Sequence, residues 1–568
     1  MSDTVKTLLK GKSTKEYIAA RSKHIPSIWV QASTKVKGKP MRFVDLKDPH
    51  RHRPYQRDVL DDKHPHIATK KSRQAGQTEV ETRREMWYMR YGDRLTWVHV
   101  FPRQRQITDY VNSRVKIAIS DSPIMTKLLE GGQDNVHHKQ FGNNNWFFRS
   151  GWDSGLGEGV DADGVTFDEK DRMKGGVEVA FEESLSSSKL GRIVELSTPT
   201  IPGYGIAVPF ERSDQKNWHI KCLHCGGWQA IGPEHLKQVQ NYADDKPDLT
   251  EHDIPEGAYA YLCSKCGGDL EESRWGGFHD GNGEWVAKYP SRDAIRGYAI
   301  NQMMCVWISA TTAYRKRLRY GFLQLWYNYV AGLEYAGEGQ LLTGAHIDRL
   351  IQPVAHRHMD LSDIVHTSVG IDWGHVNWII IIGRRRDGLK RILDVHWIRD
   401  DPHNPDTMIK QLCTYLVPFQ PAVIVADAGF GKDRIPKLRN KFPGKVWGCL
   451  YPGTPHTGID RIDAEYNENQ MMIRADKTTS LQLAMGDLRE AKYIIHSQFP
   501  AQKLELFKKH CLNLALVRDM DDVTGDISQW VVRTGDDHLA NAFNYAKLGI
   551  ESLGRLGNDS GGFLGFAG

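Results

Sequence analysis

Between residues 66 and 200, short apolar runs alternate with helical stretches: HIATK, TEVETRREMWYMRYG, LTWVHVF, RQITDYVNSRVKIAI, GVTFD, VEVAFEESL and RIVELS. Strands separated by helices cannot close as hairpins, so they must return in the same direction and build a parallel α/β sheet. From residue 366 the rhythm changes. HTSVGID, NWIIIIG and RILDVHWI are three strands with only short turns between them, followed by the helix DTMIKQLCTYLV and the strand AVIVAD. That pattern predicts a second α/β domain of different topology.

At roughly 100–200 residues per domain, 568 residues imply about three to five domains. With 40% hydrophobic and 26% charged residues, the chain has enough apolar material for a sizeable core. No apolar run reaches the roughly 18 residues of a membrane span, and the first thirty residues lack a signal peptide's apolar stretch. The expectation is a cytosolic protein without a membrane partner. Net charge is only +5, but residues 1–60 hold 14 Lys/Arg against 5 Asp/Glu, a local +9 that leaves −4 for the other 508. No internal repeat is present, and the end, LGRLGNDSGGFLGFAG, is glycine-rich.

After HIATK comes Lys71-Ser72-Arg73-Gln74-Ala75-Gly76-Gln77-Thr78, opening a helix. A Walker A loop, G-x-x-x-x-G-K-S/T, cradles phosphates on backbone amides, neutralises them with lysine and binds magnesium through its hydroxyl. Gly76 and Thr78 fit; Gln77 stands where the lysine belongs, and Lys71 takes the place of the first glycine. Downstream, the strand Gly164-Val-Thr-Phe ends in Asp168-Glu169. This is the Walker B pair, Asp168 to hold Mg²⁺ and Glu169 to orient the attacking water. Upstream, Tyr55 and Gln56 stand where a ring can stack on adenine and an amide can read its edge. Together these features predict an ATPase.

At these residues the sequence resembles the large terminase subunits of tailed bacteriophages, the motors that package DNA into procapsids. The loop Ser72-Arg73-Gln74-Ala75-Gly76-Gln77-Thr78 is similar to that family's S-R-Q-x-G-K-S/T, with Lys71 as the displaced lysine and Arg73 as the alternative cation. Ser197-Thr198-Pro199-Thr200, after RIVELS, resembles the family's coupling motif between hydrolysis and movement. The family's trans-acting arginine often lies in the glycine-rich loop before Walker B, which here reads Gly155-Leu-Gly157-Glu158-Gly159 and holds none. Arg103, Arg105, Arg114 and Arg149 are the remaining candidates.

Cys222-Leu-His-Cys225-Gly226 and Cys263-Ser-Lys-Cys266-Gly267 are two CxxCG knuckles separated by 37 residues. Four thiolates from two such turns close a tetrahedron around one structural Zn²⁺, leaving no position for substrate. His219 and His224 are read as surface residues, and Cys305, Cys413, Cys449 and Cys511 as packing residues. Some large terminases resemble this chain in carrying a zinc ribbon after the coupling motif; whether it meets DNA or protein stays open.

Three strands, a helix and a further strand is the order of the RNase H fold. Asp372 ends the first strand, Asp427 ends AVIVAD, and Asp536-Asp537-His538 opens the helix DDHLANAFNYAKLGI. Three carboxylates at one sheet edge predict a site for two Mg²⁺ or Mn²⁺ that activates water against a phosphodiester. Asp536 is equally placed to cap the helix. The resemblance matches these positions to the terminase nuclease's acidic motifs, with Asn541 where many relatives carry another Asp.

The fold class expected is therefore α/β: a basic arm (1–46), a P-loop ATPase core (47–215), a zinc-ribbon insertion (216–290), a lid or linker (291–360), an RNase H-like nuclease (361–552) and a glycine-rich tail (553–568). The resemblance implies a DNA-packaging subunit that hydrolyses ATP with Mg²⁺ and cuts the DNA concatemer at a cos site or at a full head. Its implied partners are double-stranded viral DNA, the portal protein, a small terminase subunit and further copies in a ring of five. It would act in the host cytoplasm, transiently docked at the procapsid portal and absent from the mature virion. The rival readings are a helicase-nuclease of DNA repair or recombination, for which a second RecA-like domain is missing, and a DNA-binding scaffold with degenerate sites, which Gln77 alone favours.

Overall fold

The computed structural model describes residues 14–151, 159–173, 176–242, 249–275, 282–335, 337, 339–353, 360–400, 405–452, 464–520 and 526–558. The first 13 residues of the arm, Gly155–Glu158 of the glycine-rich loop and residues 559–568 of the tail lie outside them. The chain divides into two units, residues 1–335 and 336–568.

In the first unit, His66–Lys71 lies inside a ten-stranded sheet, parallel to Arg296–Ile300 on one side and Arg192–Ser197 on the other. Gly164–Asp168, Thr96–Phe101 and Asn144–Ser150 continue the parallel order, and His138–Phe141 closes that edge antiparallel. Lys70 is level with Ser197, and Asp168 with Leu196. The C-terminal ends of three neighbouring strands thus bring Lys71, Asp168 and Ser197 to one edge, where parallel sheets bind ligands. The alternation foreseen between 66 and 200 is present, and the helix expected over RQITDYVNSRVKIAI runs from Gln104 to Ser120 through a π-helical turn at Val111–Val115. The hairpin His138–Ser150 was not foreseen. Its edge strand, His138–Phe141, reads H-K-Q-F, with three polar residues in four and too short a run to show as a strand.

The zinc-ribbon insertion expected over 216–290 does not stand apart from the ATPase sheet: Lys216–Lys221 joins it beside Arg296–Ile300 and carries Gly283–Ala287 and Trp228–Ala230 antiparallel. Trp218, Ile220, Tyr261 and Leu270 share one core with Tyr55, Ile300 and Met303. Nor is 291–360 one connecting piece. Arg296–Ile300 is an inner strand, whereas Leu341, Leu342, Ile347 and Leu350 pack into the second unit's core and Ile351–Gln352 pairs with Tyr493–His496. A five-residue strand covered on both faces shows neither alternation nor length, so it reads as loop.

The second unit has a nine-stranded sheet. Its centre is the antiparallel trio Ile364–Asp372, Val376–Arg385 and Lys390–Arg399, with Val423–Asp427 added parallel to the first. This is the RNase H-like arrangement. Ile379 to Ile382 are fully buried, each contributing about 1.5–3 kcal/mol of apolar burial. The helix His538–Asn558 lies tightly on the first strand: Ser368 Oγ donates to Ala546 O at 2.7 Å, and a Cβ at Gly370 would overlap the Ala542 carbonyl. That closeness brings the start of the helix to Asp372. Among the described residues no helix is long and apolar enough to cross a membrane.

Candidate functional site

Lys71 ends its strand buried, and its ammonium donates to Glu169 Oε1 at 2.8 Å while lying 3.9 Å from Asp168 Oδ1. Glu169 adopts a left-handed φ of 61°, a conformation that a glutamate occupies only when its surroundings impose it. Burial alone would raise its carboxyl; Lys71 and Arg172, 3.3 Å away, instead hold it down to about 2. Burial pushes Asp168 up, with Lys71 and the Thr78 hydroxyl acting against it. Neither Asp168 oxygen is closed by a hydrogen bond of full geometry. A buried carboxylate left this way, beside a hydroxyl, fits a hard divalent cation, and Thr78 and Asp168 are the residues that would hold Mg²⁺.

Gln77 turns away from this cluster and donates to Glu81 Oε1 at 3.1 Å. Arg73 lies over the Tyr329 ring, 3.7 Å from its centroid, and its charge also reaches Glu169. Of the two candidate cations, Lys71 is the one in hydrogen-bond contact with the Walker B pair. The loop is clamped from outside. Ser72 N donates to Ile300 O (2.8 Å), Arg73 N to Tyr329 O (3.1 Å), and Gln302 Nε2 to Arg73 O (2.8 Å). Two amides expected in the phosphate cradle are thereby committed to protein carbonyls. Gln74, Ala75, Gly76, Gln77 and Thr78 remain as the stretch entering the 15-residue helix Gln77–Tyr91, whose N-terminus suits an anion.

The expected adenine contacts are corrected. Tyr55 is 1% exposed and packs edge-on to Trp218, with its hydroxyl 3.4 Å from Cys305 Sγ, so neither ring face is open to a base. Gln56 is buried too: its Nε2 donates to Ala75 O at 2.8 Å, and Arg53 Nη1 reaches the same carbonyl at 3.1 Å. Both therefore brace the loop. Sequence reading also missed a buried support behind Asp168. Glu85 accepts from Thr166 Oγ1 (2.6 Å), Trp146 Nε1 (2.7 Å) and His99 Nδ1 (2.9 Å), and His99 Nε2 points to Asp168 Oδ2 at 4.0 Å. Burial opposes protonation of His99, but Glu85 and Asp168 outweigh it and raise its pKa.

In the expected coupling motif, Ser197 and Thr198 are buried, and Thr200 Oγ1 donates to Asp171 Oδ2 at 2.8 Å. The arginine candidates differ in freedom. Arg105 is exposed near Asp109 (3.8 Å), Arg114 lies 4.0 Å from Glu79, and Arg103 stands exposed before the helix Gln104–Tyr110. Arg149 is tied to His137 O and Phe148 O, each at 3.2 Å.

The two cysteine knuckles are built alike. Gly226 N donates to Cys222 O and Gly267 N to Cys263 O, at 2.8 and 2.9 Å. All four sulfurs lie within 4.8 Å of one another, with Cys222–Cys266 and Cys225–Cys263 at 3.8 Å. Although burial opposes it, the Gln229 amide, 3.1 Å from the sulfur, and nearby backbone amides hold the Cys263 thiol down to about 6. Four thiols gathered around one point fit a tetrahedral Zn²⁺.

In the second unit His538 Nδ1 meets Asp372 Oδ2 at 2.7 Å. Burial raises Asp372, the neighbouring Asp537 and Asp427 raise it further, and His538 opposes them. Asp427 accepts from the amides of Gly429 (2.9 Å) and Phe430 (3.1 Å), and buried Asp537 accepts from Asn541 Nδ2 (2.9 Å). The helix begins at His538, so the residue before it is Asp537. Asp537 O accepts from Ala540 N and Asn541 N, while Asp536 is exposed and offers its carbonyl to Asn513 Nδ2 (2.9 Å). Capping by Asp536 is thus corrected: that position falls to Asp537. His510, edge-on to Trp378 and accepting from Leu539 N at 3.1 Å, supports the helix start and was not foreseen; burial pushes it down to about 4. Mutually repelling carboxylates with lone pairs to spare fit divalent cations.

Residues 12–285 match the family model described as phage terminase large subunit gpA, ATPase domain. No curated protein sequence matches the chain. Among solved structures, the large terminase of the HK97 bacteriophage is 11% identical, over 93% of this chain and 99% of its own, with a TM-score of 0.47. The ADP complex of a large terminase from a thermophilic bacteriophage is 13% identical over 85% and 93%, at 0.28. The large terminase nuclease of the thermophilic phage G20c is 12% identical over 37% and 98%, at 0.24. Residues 12–285, which carry the Lys71, Asp168 and Glu169 cluster, thus match the ATPase domain of phage terminase large subunits.

Proposed function

We propose that this chain is the ATP-hydrolysing subunit of a viral DNA-packaging motor, moving double-stranded DNA into procapsids and cutting the concatemer with its second unit. The observation that carries the reading is the contact of Lys71 with Glu169 beside Asp168, within the stretch that matches the gpA ATPase family. Lys71 holds a cation where the β and γ phosphates would lie, the helix beginning at Gln77 offers its amides to them, and Glu169, kept ionised, orients the attacking water. Mg²⁺ on Thr78 and Asp168 would neutralise phosphate charge. In the second unit Asp372, Asp427 and Asp537 would hold two Mg²⁺ or Mn²⁺ that activate water at the scissile phosphate, while His538 fixes Asp372 and Asn541 fixes Asp537. Cys222, Cys225, Cys263 and Cys266 would carry one structural Zn²⁺. The partners on this reading are the portal protein, the small terminase subunit and further copies in a ring of five, assembled in the host cytoplasm. The test is protection of linear double-stranded DNA from added nuclease when procapsids, portal and ATP are supplied.

A further inference from the structure

We propose that Asp171 is a positioning residue that fastens the Walker B turn to the coupling loop and, through Thr200, to the end of the first unit. The inference rests on the ATPase reading above. Asp171 lies two residues beyond Glu169, in the turn Lys170–Arg172, and is 1% exposed. Its carboxylate takes both ends of the loop that follows Arg192–Ser197. Oδ2 accepts from Thr200 Oγ1 and Oδ1 from Ile206 N, each at 2.8 Å, while its own amide donates to Ser197 Oγ at 3.1 Å. The seat is closed by contact, since a Cβ at Gly205 would overlap the carboxyl group.

From Thr200 the connection continues. Its carbonyl accepts from Asn328 Nδ2 (2.8 Å) and Tyr335 N (3.1 Å), and Asn328 Nδ2 also donates to Leu333 O (2.8 Å). Lys70, next to the phosphate-site lysine, holds Glu334 at 3.0 Å. Tyr335 is the last residue of the first unit. A buried carboxylate accepting two hydrogen bonds at once is strong and leaves no slack, so displacement of the Walker B turn reaches Thr200 and the 328–335 segment instead of dissipating at the loop. Asp168 and Glu169 perform the hydrolysis; Asp171 makes the loop follow it.

The test uses the full chain on procapsids with portal, ATP and linear double-stranded DNA, measuring base pairs taken up per ATP hydrolysed. Asp171→Asn keeps the shape but replaces one acceptor with a donor. It should hydrolyse ATP and yet move about tenfold less DNA per ATP, and Asp171→Asn/Thr200→Val should be no worse than Asp171→Asn alone. If Asp171→Asn lowers the melting temperature enough to obscure this, Thr200→Val, which deletes only the donor hydroxyl, should lower the same ratio. An unchanged ratio in a folded variant, or a loss of hydrolysis in proportion to uptake, overturns the inference while leaving the packaging reading intact. A native chain that neither hydrolyses ATP nor takes up DNA overturns both.

Discussion

The Lys71 ammonium donates to Glu169 Oε1 at 2.8 Å, although the two are separated by 98 residues and Glu169 holds a left-handed backbone. On the proposed reading, the cation that a P-loop normally draws from its last positions is supplied by Lys71, the last residue of the strand. Lys71→Ala should therefore cut ATP turnover by roughly 10³-fold, the cost of removing a transition-state charge contact. Gln77→Ala should keep most of it, because Gln77 is bonded to Glu81. Glu169→Gln should bind ATP without hydrolysing it. Steady-state turnover with nucleotide-binding titrations checks all three, and near-normal turnover in Lys71→Ala excludes the displaced-lysine assignment.

Asp171 supplies a pH signature. Burial raises its carboxyl from 3.8 to about 6 despite the hydrogen bonds from Ile206 and Thr200. Because the folded value lies above the unfolded one, this contribution to stability is full below about pH 4 and is lost as pH rises through 6. The span is about 3 kcal/mol. Asp171→Asn does not titrate, so its stability relative to the native chain should rise between pH 4 and 6. Denaturant melts of both proteins across that window measure the difference, and a constant gap contradicts the assignment.

Much of this site was legible because its chemistry lies at strand ends, and strand ends are marked by the switch from apolar run to polar turn. Lys71, Asp168, Asp372 and Asp427 all stand there, and the two CxxCG knuckles are visible from spacing alone. What stayed hidden depends on the third dimension. Tyr55 lies close before the loop in sequence, but its ring is used by the core that includes Trp218 and Ile300. Glu85 and His99 reach Asp168 from a helix and a neighbouring strand, and neither carries a motif. Asp171 reads as one more charge in DEKDR until Thr200 and Ile206 are folded onto it.

Zinc should be structural and its loss should be felt beyond the knuckles, since Cys222 and Cys263 share a core with Tyr55, Ile300 and Met303. Metal analysis should give one zinc per chain. Cys263→Ser should lower the melting temperature by about 5 °C or more. A zinc-free chain that melts like the native one contradicts this.

In the second unit Asp372→Ala and Asp427→Ala should abolish plasmid cleavage in Mn²⁺ while ATP turnover persists, as the ATPase carboxylates belong to the other unit. His538→Ala, which frees Asp372, should cost about 10–100-fold. Exposed Asp536 should tolerate alanine better than buried Asp537. Plasmid nicking assays with each variant decide the order, and normal cutting by Asp427→Ala removes the nuclease assignment.

The central claim, that Lys71, Asp168 and Glu169 power DNA movement, is tested most directly by uptake of linear double-stranded DNA into portal-bearing procapsids, scored as resistance to added nuclease. The account predicts protection that requires ATP, is lost in Lys71→Ala and Glu169→Gln, and survives Asp427→Ala when the DNA already has ends. Protection without ATP, or undiminished in Lys71→Ala, would contradict it.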